Sequence, residues 1–416
     1  MNELLKPPAE KNAPTSFLEK TWGVLTRTKK QRAQEKLVQR ETTFRTLKNL
    51  QQDKNDPDYW AALVLAELEN YRNHIDAGRI PTTKQYEVDG HTTQLEVVRI
   101  STHPDGRKDS ERRSDEPHFV EFTGAWGSGP QNEVESLVLS QAMGADGVDI
   151  SAISYPEHAG STTTGKDGWK DPQAWEKTGK VIAHYLKELK QELGERPLIL
   201  HGWSMGGTAI MEVLKHVEPG IIDGIVFADT PLKKEKFGKL VGRFGTYPVR
   251  AALLGIKEEI VRENGFDTQK YLVSPLGLKV FLDRLRDHRH PTKGIGFRVT
   301  WRSASQFAQK DYLENDVALE QLKKHGVPVL VLRPSNDWVV PKHQMSDLQA
   351  TVRAFNAHMD QQSDRAPAYP LYGQAAKVEQ TGHSLLEEQP EKMAAIIKLW
   401  LKSAVKDHRA KTAAAT

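Results

Sequence analysis

A serine hydroxyl attacks a carbonyl at neutral pH only when a base takes its proton and the backbone presents it outward. The run Leu198-Ile199-Leu200-His201-Gly202-Trp203-Ser204-Met205-Gly206-Gly207 offers such a serine. Taken alone, the pattern G-x-S-x-G is a weak signal. Its setting strengthens it, because a short continuous apolar run of strand character precedes the serine and a helical pattern follows it. A strand that turns sharply into a helix strains the serine and lifts its hydroxyl above a sheet. Gly202 and Gly206 then have a steric reason to be glycine, since side chains would collide across so tight a turn. A serine in such a turn can also serve merely as a helix N-cap, but a cap does not call for the flanking glycines.

The chain has fifteen histidines, so position must choose the base. His383, in Val378-Glu379-Gln380-Thr381-Gly382-His383-Ser384, falls in the loop between the last expected strand and the last helix. His201 stands on the serine's own strand and is held away from the hydroxyl by the turn. His288 and His290 lie in a basic stretch of an insertion and are expected to be exposed. A carboxylate must orient the imidazole. Asp337, in Arg333-Pro334-Ser335-Asn336-Asp337-Trp338-Val339-Val340-Pro341, follows one strand, and Asp229 follows the strand before it. Both are expected at C-terminal ends of strands, where open α/β sheets keep their sites. Asp337 is the first choice and Asp229 the reserve. An Asx turn is the competing role for Asp337.

The elements that must position these groups follow a regular order. Residues 86–88 and 94–100 alternate around Asp89-Gly90, a strong hairpin signal. A charged loop over 105–116 leads to a strand at 118–122 and the glycine-rich run Thr123-Gly124-Ala125-Trp126-Gly127-Ser128-Gly129. Then follow a helix near 133–143, a strand near 149–155, a helix near 172–193, a strand at 197–200, a helix near 206–217 and a strand at 221–228. After an interruption come a strand at 327–332, a helix from about 342 to 355, a short strand at 375–379 and a helix near 390–401. Strand and helix in alternation give a mostly parallel central sheet flanked by helices. Short strands without polar alternation suit a sheet covered on both faces.

Three segments stand apart. Residues 1–82 read as a basic helical extension, with eleven Lys/Arg against five Asp/Glu over residues 1–50. An amphipathic helix over 16–50 can touch an anionic membrane surface peripherally, although a charge run more often faces water. Residues 230–315 are helical and interrupt the strand–helix order, as a cap inserted into a core of 83–229 and 316–405 would. Residues 406–416 read as a flexible tail.

Composition narrows the classes. A formal net charge of +3 gives no general case for nucleic-acid binding. The chain contains no cysteine, which excludes disulfides, thiolate metal sites and a cysteine nucleophile. Neither a signal peptide nor an apolar run of bilayer length is visible, so the expected location is cytoplasmic. No cofactor or metal is implied.

Together these residues resemble the α/β-hydrolase superfamily, in its lipase- and esterase-like branch with a helical cap. The resemblance spans roughly residues 85–403. It implies the chain order nucleophile, acid, histidine, here Ser204, Asp337 and His383. Asp337-Trp338-Val339-Val340-Pro341 is similar to the family's acid loop, and Gly382-His383-Ser384 to its histidine loop. It also implies an oxyanion hole from the backbone N–H of Met205 and that of Ala125, with Trp126 next. The chain departs from the family in having Thr123-Gly124 where His-Gly is frequent. Pro156-Glu157-His158-Ala159-Gly160-Ser161 is only a degraded form of another family segment. The implied activity is hydrolysis of a carboxylic ester or thioester through an acyl-enzyme on Ser204, acting on a small-molecule acyl substrate. The alternatives are an acyltransferase using the same triad, a peptidase, cleavage of a carbon–carbon bond, and a ligand-binding protein with weak catalysis. Oligomeric state is left open.

Overall fold

The computed structural model describes residues 82–101, 113–124, 139, 143, 148–158, 161, 162, 165, 167–234, 302, 303, 305–335, 337, 340–362, 373–379, 381, 383, 385–406 and 408–410. The expected N-terminal helices, the glycine-rich loop beyond Gly124 and most of the insertion therefore lie outside the described residues. So do His288, His290, Ala125 and Trp126.

Eight strands form one sheet: β1 (Thr82–Val88), β2 (His91–Ser101), β3 (His118–Phe122), β4 (Asp149–Ile153), β5 (Leu198–Trp203), β6 (Gly224–Ala228), β7 (Val329–Pro334) and β8 (Gly373–Val378). Their spatial order is β1-β2-β4-β3-β5-β6-β7-β8. The hairpin forms around Asp89 (φ 50°) and Gly90 (φ 76°) with Val88 opposite His91. Left-handed backbone at both turn residues matches the twist of the two strands. β2 pairs antiparallel with β4, and the six strands from β3 to β8 pair in parallel.

The strand order reverses around β3, which lies between β4 and β5. Chain leaving β3 and chain leaving β5 therefore emerge side by side at the C-terminal edge, and such a switch point opens a crevice. Thr123-Gly124 and Ser204 are the residues that emerge there.

Both faces of the sheet are covered. Val120, Phe122, Leu198, Leu200, Phe227 and Val331 pack on one side, together with residues of α1 (Ala174–Leu193), α2 (Met205–Leu214), α3 (Val317–His325) and α4 (Lys342–Gln362). Their neighbours in sequence, Phe119, Ile199, Val226, Leu330 and Leu332, face the other side. There they meet Leu139, Met143 and residues of α5 (Leu385–Glu388) and α6 (Pro390–Trp400). Alternate residues of one strand thus enter two different cores, which explains why the strands read as unbroken apolar runs.

Several boundaries differ from the sequence reading. β5 runs on to Trp203, so His201 lies inside the strand. The strand expected from 221 starts at Gly224; Ile222 is apolar because it is buried beside the sheet, not because it pairs. α2 stops at Leu214, and α4 continues to Gln362 past Phe355 on residues that are half-buried or exposed, with Met359 packed against the core. The chain beyond 405, expected as a flexible tail, is helical at 406 and 408–410. Arg409 donates to Ser114 O at 3.2 Å and to Glu195 O, and lies 3.5 Å from Asp223.

The two ends of the insertion meet. Tyr312 N donates to Leu232 O at 2.8 Å. The returning segment is fastened to the body by Gln306 Nε2, which donates to Trp169 O and Asp171 O at 2.7 Å. The buried carboxylate of Glu212 on α2 accepts from the Tyr312 hydroxyl and from Lys310 at 3.0 Å. The chain that leaves after β6 thus returns against the C-terminal half of α2, at Glu212, before α3 leads into β7. No helix among the described residues is long and apolar enough to cross a membrane.

Candidate active site

Ser204 sits between β5 and α2 with φ 52° and ψ −122°. A non-glycine residue there is strained, and such strain persists only where the surroundings fix it. Ser204 N donates to Ala228 O at 2.9 Å, which ties the turn to the end of β6. Its side chain makes no capping hydrogen bond, so the N-cap role does not account for it.

The glycines are set by close approach. A Cβ on Gly202 would lie 2.6 Å from Gly207 N, across the turn. One on Gly206 would lie 2.0 Å from Phe122 O, because α2 starts directly against the end of β3. Gly206→Ala must push the helix off that strand, and overpacking of this kind costs about 1–3 kcal/mol. Chemical denaturation is expected to show a lowered midpoint of that order. An unchanged midpoint would contradict the close approach.

His383 comes from the loop between β8 and α5. Thr381 Oγ1 donates to Val378 O at 2.6 Å on one side of it, and buried Leu385 and Leu386 anchor the other. The imidazole is almost wholly buried. Its Nε2 is 3.0 Å from Ser204 Oγ, and its Nδ1 is 3.1 Å from Asp337 Oδ2. A proton on Nδ1 leaves the Nε2 lone pair facing the serine hydroxyl, the tautomer that a general base needs.

Both acids considered from sequence reach this histidine. Asp337 lies just past β7, and its Oδ2 also accepts from Val340 N at 3.0 Å. The turn-forming role weighed against Asp337 is thus present together with the contact to His383. Asp229 follows β6 directly, with φ 51°, and is completely buried. Its Oδ2 is 2.5 Å from His383 Nδ1, nearer than Asp337, but neither of its oxygens is placed to accept a well-aligned hydrogen bond. Asp337 therefore holds the ring direction, while Asp229 adds a carboxyl group at very short range.

Burial pushes the Asp229 carboxyl well above its usual range, and the neighbouring Asp337 charge adds to the shift. His383 is opposed by burial, but the charges of Asp337 and Asp229 outweigh it and raise its pKa to about 10. The three groups compete for one proton. With that proton on Asp229, the imidazole can stay neutral between Asp337 and Ser204; with it on His383, Nε2 is blocked.

One ligand atom from each of Asp229, Asp337 and His383 lies within 4.8 Å of the others. A cation among them would have to displace the Nδ1 proton, since a histidine ligand must be deprotonated at the ligating nitrogen.

Met205 opens α2, and the first backbone N–H groups of a helix lack intrahelical acceptors. His201 does not approach Ser204. Its Nδ1 is 2.5 Å from Glu121 Oε2, and both side chains are fully buried between β5 and β3. His158, in the degraded family segment, is buried with Nδ1 donating to Pro156 O at 2.8 Å, and burial lowers its pKa to about 4. Trp203 is a contact that the sequence reading missed. Its Nε1 donates to the backbone oxygen of His383 at 2.8 Å. The available signal was its place beside the serine in the glycine motif.

Solved structures with similar overall architecture include an esterase from Exiguobacterium antarcticum (16% identity, 78% of this chain and 100% of that one, TM-score 0.48). Others are the esterase RhEst1 from Rhodococcus sp. ECU1013 (18% identity, 77% and 99%, TM-score 0.48) and a thermophilic esterase from Thermogutta terrifontis (15% identity, 77% and 98%, TM-score 0.49). A search of curated proteins by sequence finds no match. A family model described as the alpha/beta hydrolase family matches residues 123–396, well over half of the chain. That span takes in β4 to β8 together with Ser204, Asp229, Asp337 and His383, and the chain belongs to the alpha/beta hydrolase family.

Proposed function

We propose that this chain is a serine hydrolase that cleaves a carboxylic ester or thioester through an acyl-enzyme on Ser204. The observation that carries the reading is the continuous relay from Ser204 Oγ through His383 to Asp337, at 3.0 and 3.1 Å. A relay of this kind turns a weak hydroxyl nucleophile into an effective one.

In this reading Ser204 Oγ attacks the substrate carbonyl while His383 Nε2 takes its proton. The imidazolium is stabilised by Asp337, with Asp229 alongside. The tetrahedral oxyanion is received by the Met205 N–H and a second N–H from the chain after Gly124, with Ala125 first and Trp126 in reserve. Losing one such donor typically costs about 3 kcal/mol. The tetrahedral centre then collapses, the bond to the leaving alcohol or thiol breaks, and His383 returns its proton to that group. Water, deprotonated by His383, attacks the acyl-enzyme; the acid departs and Ser204 regains its proton. The chain between Leu232 and Tyr312, inserted between β6 and α3, would line the acyl pocket as a cap.

Intact mass during turnover of a slowly deacylated ester tests this reading. One acyl group is expected, mapped to the peptide that carries Ser204. Product release with no acylated intermediate, or acyl transfer preferentially to an added alcohol or amine, would count against it.

A further inference from the structure

Trp203 occupies a place that packing alone does not explain. It is the last residue of β5 and is only half-buried. Its indole N–H is committed to the main-chain oxygen of His383 at 2.8 Å. The ring centroids of Trp203 and His383 are 5.2 Å apart at an interplanar angle of 47°. On the other side, a Cβ at Gly124 would lie only 2.7 Å from the indole ring. The indole therefore fills the space between the chain leaving β3 and the loop that carries His383.

We infer that Trp203 is a positioning residue that holds His383 in line with Ser204, through the indole N–H to the His383 carbonyl and through its ring wedged against Gly124. This inference rests on the hydrolase reading above. β5 is a central strand paired on both sides, so Trp203 is a rigid post, whereas His383 stands on a loop. The imidazole must keep Nε2 on the serine and Nδ1 on the acids at once. A backbone tether at His383 itself limits rotation and drift of the loop at the residue that matters. The same contact links the imidazole to Gly124, where the chain leaves β3. Anything that shifts that chain presses on the indole and, through it, on His383.

Three variants test the inference. Trp203→Phe keeps an aromatic plate but removes the N–H. A sulfur isostere of tryptophan at 203, benzothienylalanine, keeps the full shape and removes only the N–H. Fluorotryptophan at 203 keeps both. The readouts are the rate and pH midpoint of labelling by a fluorophosphonate, together with the indole ¹H–¹⁵N resonance of Trp203, assigned by its loss in Trp203→Phe.

The groups that set the midpoint are Asp229 and Asp337 on one side of the ring, with Ser204 on the other. Drift of the ring away from the carboxylates weakens the support of the imidazolium, so the midpoint moves to lower pH. Misplacement on the scale of 1 Å can cost about 100-fold. The phenylalanine and sulfur variants are expected to take the full single label about 10- to 100-fold more slowly, with a lowered midpoint. The fluorotryptophan protein should match wild type. The wild-type indole proton should exchange slowly, and its shift should follow the same midpoint as labelling.

Wild-type rate and midpoint in the sulfur isostere would overturn the inference and leave Trp203 as packing. If the wild type takes no label, the hydrolase reading fails, and the indole resonance decides the tether independently. A fast-exchanging signal indifferent to pH would then overturn it.

Discussion

Ser204→Ala, His383→Ala and the double variant are expected to lose nearly the same activity, each falling by about 10⁶ in kcat for a reactive ester. The reason is that the hydroxyl and the imidazole form one device. Nε2 sits 3.0 Å from Oγ, and neither group has a use in the attack without the other. Once one is gone, removing the second takes away nothing further. The activity left over comes from substrate binding and oxyanion donors alone, which typically retain about 10³–10⁴ over water. Two independent roles would instead give losses that multiply. A double variant far below either single one would therefore contradict the relay, as would a His383→Ala enzyme with most of its turnover. Met205 and the chain after Gly124 are untouched by these changes, so substrate affinity should move much less than kcat.

The second large effect concerns the two acids. The double exchange Asp229→Asn with Asp337→Asn is expected to cost about 10⁴ in kcat, the scale of removing the orienting carboxylate from a triad. Asp337→Asn alone should cost less, about 10²–10³, and Asp229→Asn about tenfold. The Asp337 charge helps to push Asp229 up. Removing that charge lets Asp229 ionise 2.5 Å from Nδ1 and take over part of the task. If Asp337→Asn alone loses as much as the double variant, Asp229 has no share in supporting the base.

The pH dependence carries a sign of its own. Because Asp337 and Asp229 hold the His383 pKa up at about 10 against burial, kcat/KM should rise with pH as the imidazole loses its proton. Either Asn exchange removes support for the imidazolium, so the rising limb must move to lower pH. A limb that stays in place or moves upward would show that these carboxyls do not face the ionising group.

Much of this site was legible in the sequence, for identifiable physical reasons. The strand before Ser204 is apolar on both faces because Leu198 and Leu200 enter one core and Ile199 the other. Gly202 and Gly206 marked a turn too tight for side chains, and the fold brings backbone within 2.6 and 2.0 Å of where each Cβ would be. The choice between Asp229 and Asp337 was not legible. β6 and β7 are adjacent and in register, with Ala228 opposite Leu332, so the residues that follow both strands arrive at the same imidazole. Sequence spacing alone could not tell which one would point its carboxylate along the Nδ1 direction.

Other features depended on long-range contacts. Trp203 reads as the variable residue of the glycine turn, and only the fold brings the carbonyl of His383, 180 residues away, to its indole N–H. α4 runs past its expected end near Phe355. The helix continues to Gln362 on residues that mix half-buried and exposed positions and so carry little apolar periodicity. His201 neighbours Ser204 in sequence, but its buried partner Glu121 lies on another strand and leaves no trace in local spacing.

The most direct test is intact mass after exposure to a fluorophosphonate, for wild type and Ser204→Ala side by side. A single adduct on the wild type, absent from a folded Ser204→Ala protein, is the predicted result. It would mean that His383 activates this one hydroxyl. A folded wild type that takes no adduct, or a Ser204→Ala protein that takes the same one, would contradict the account at its centre.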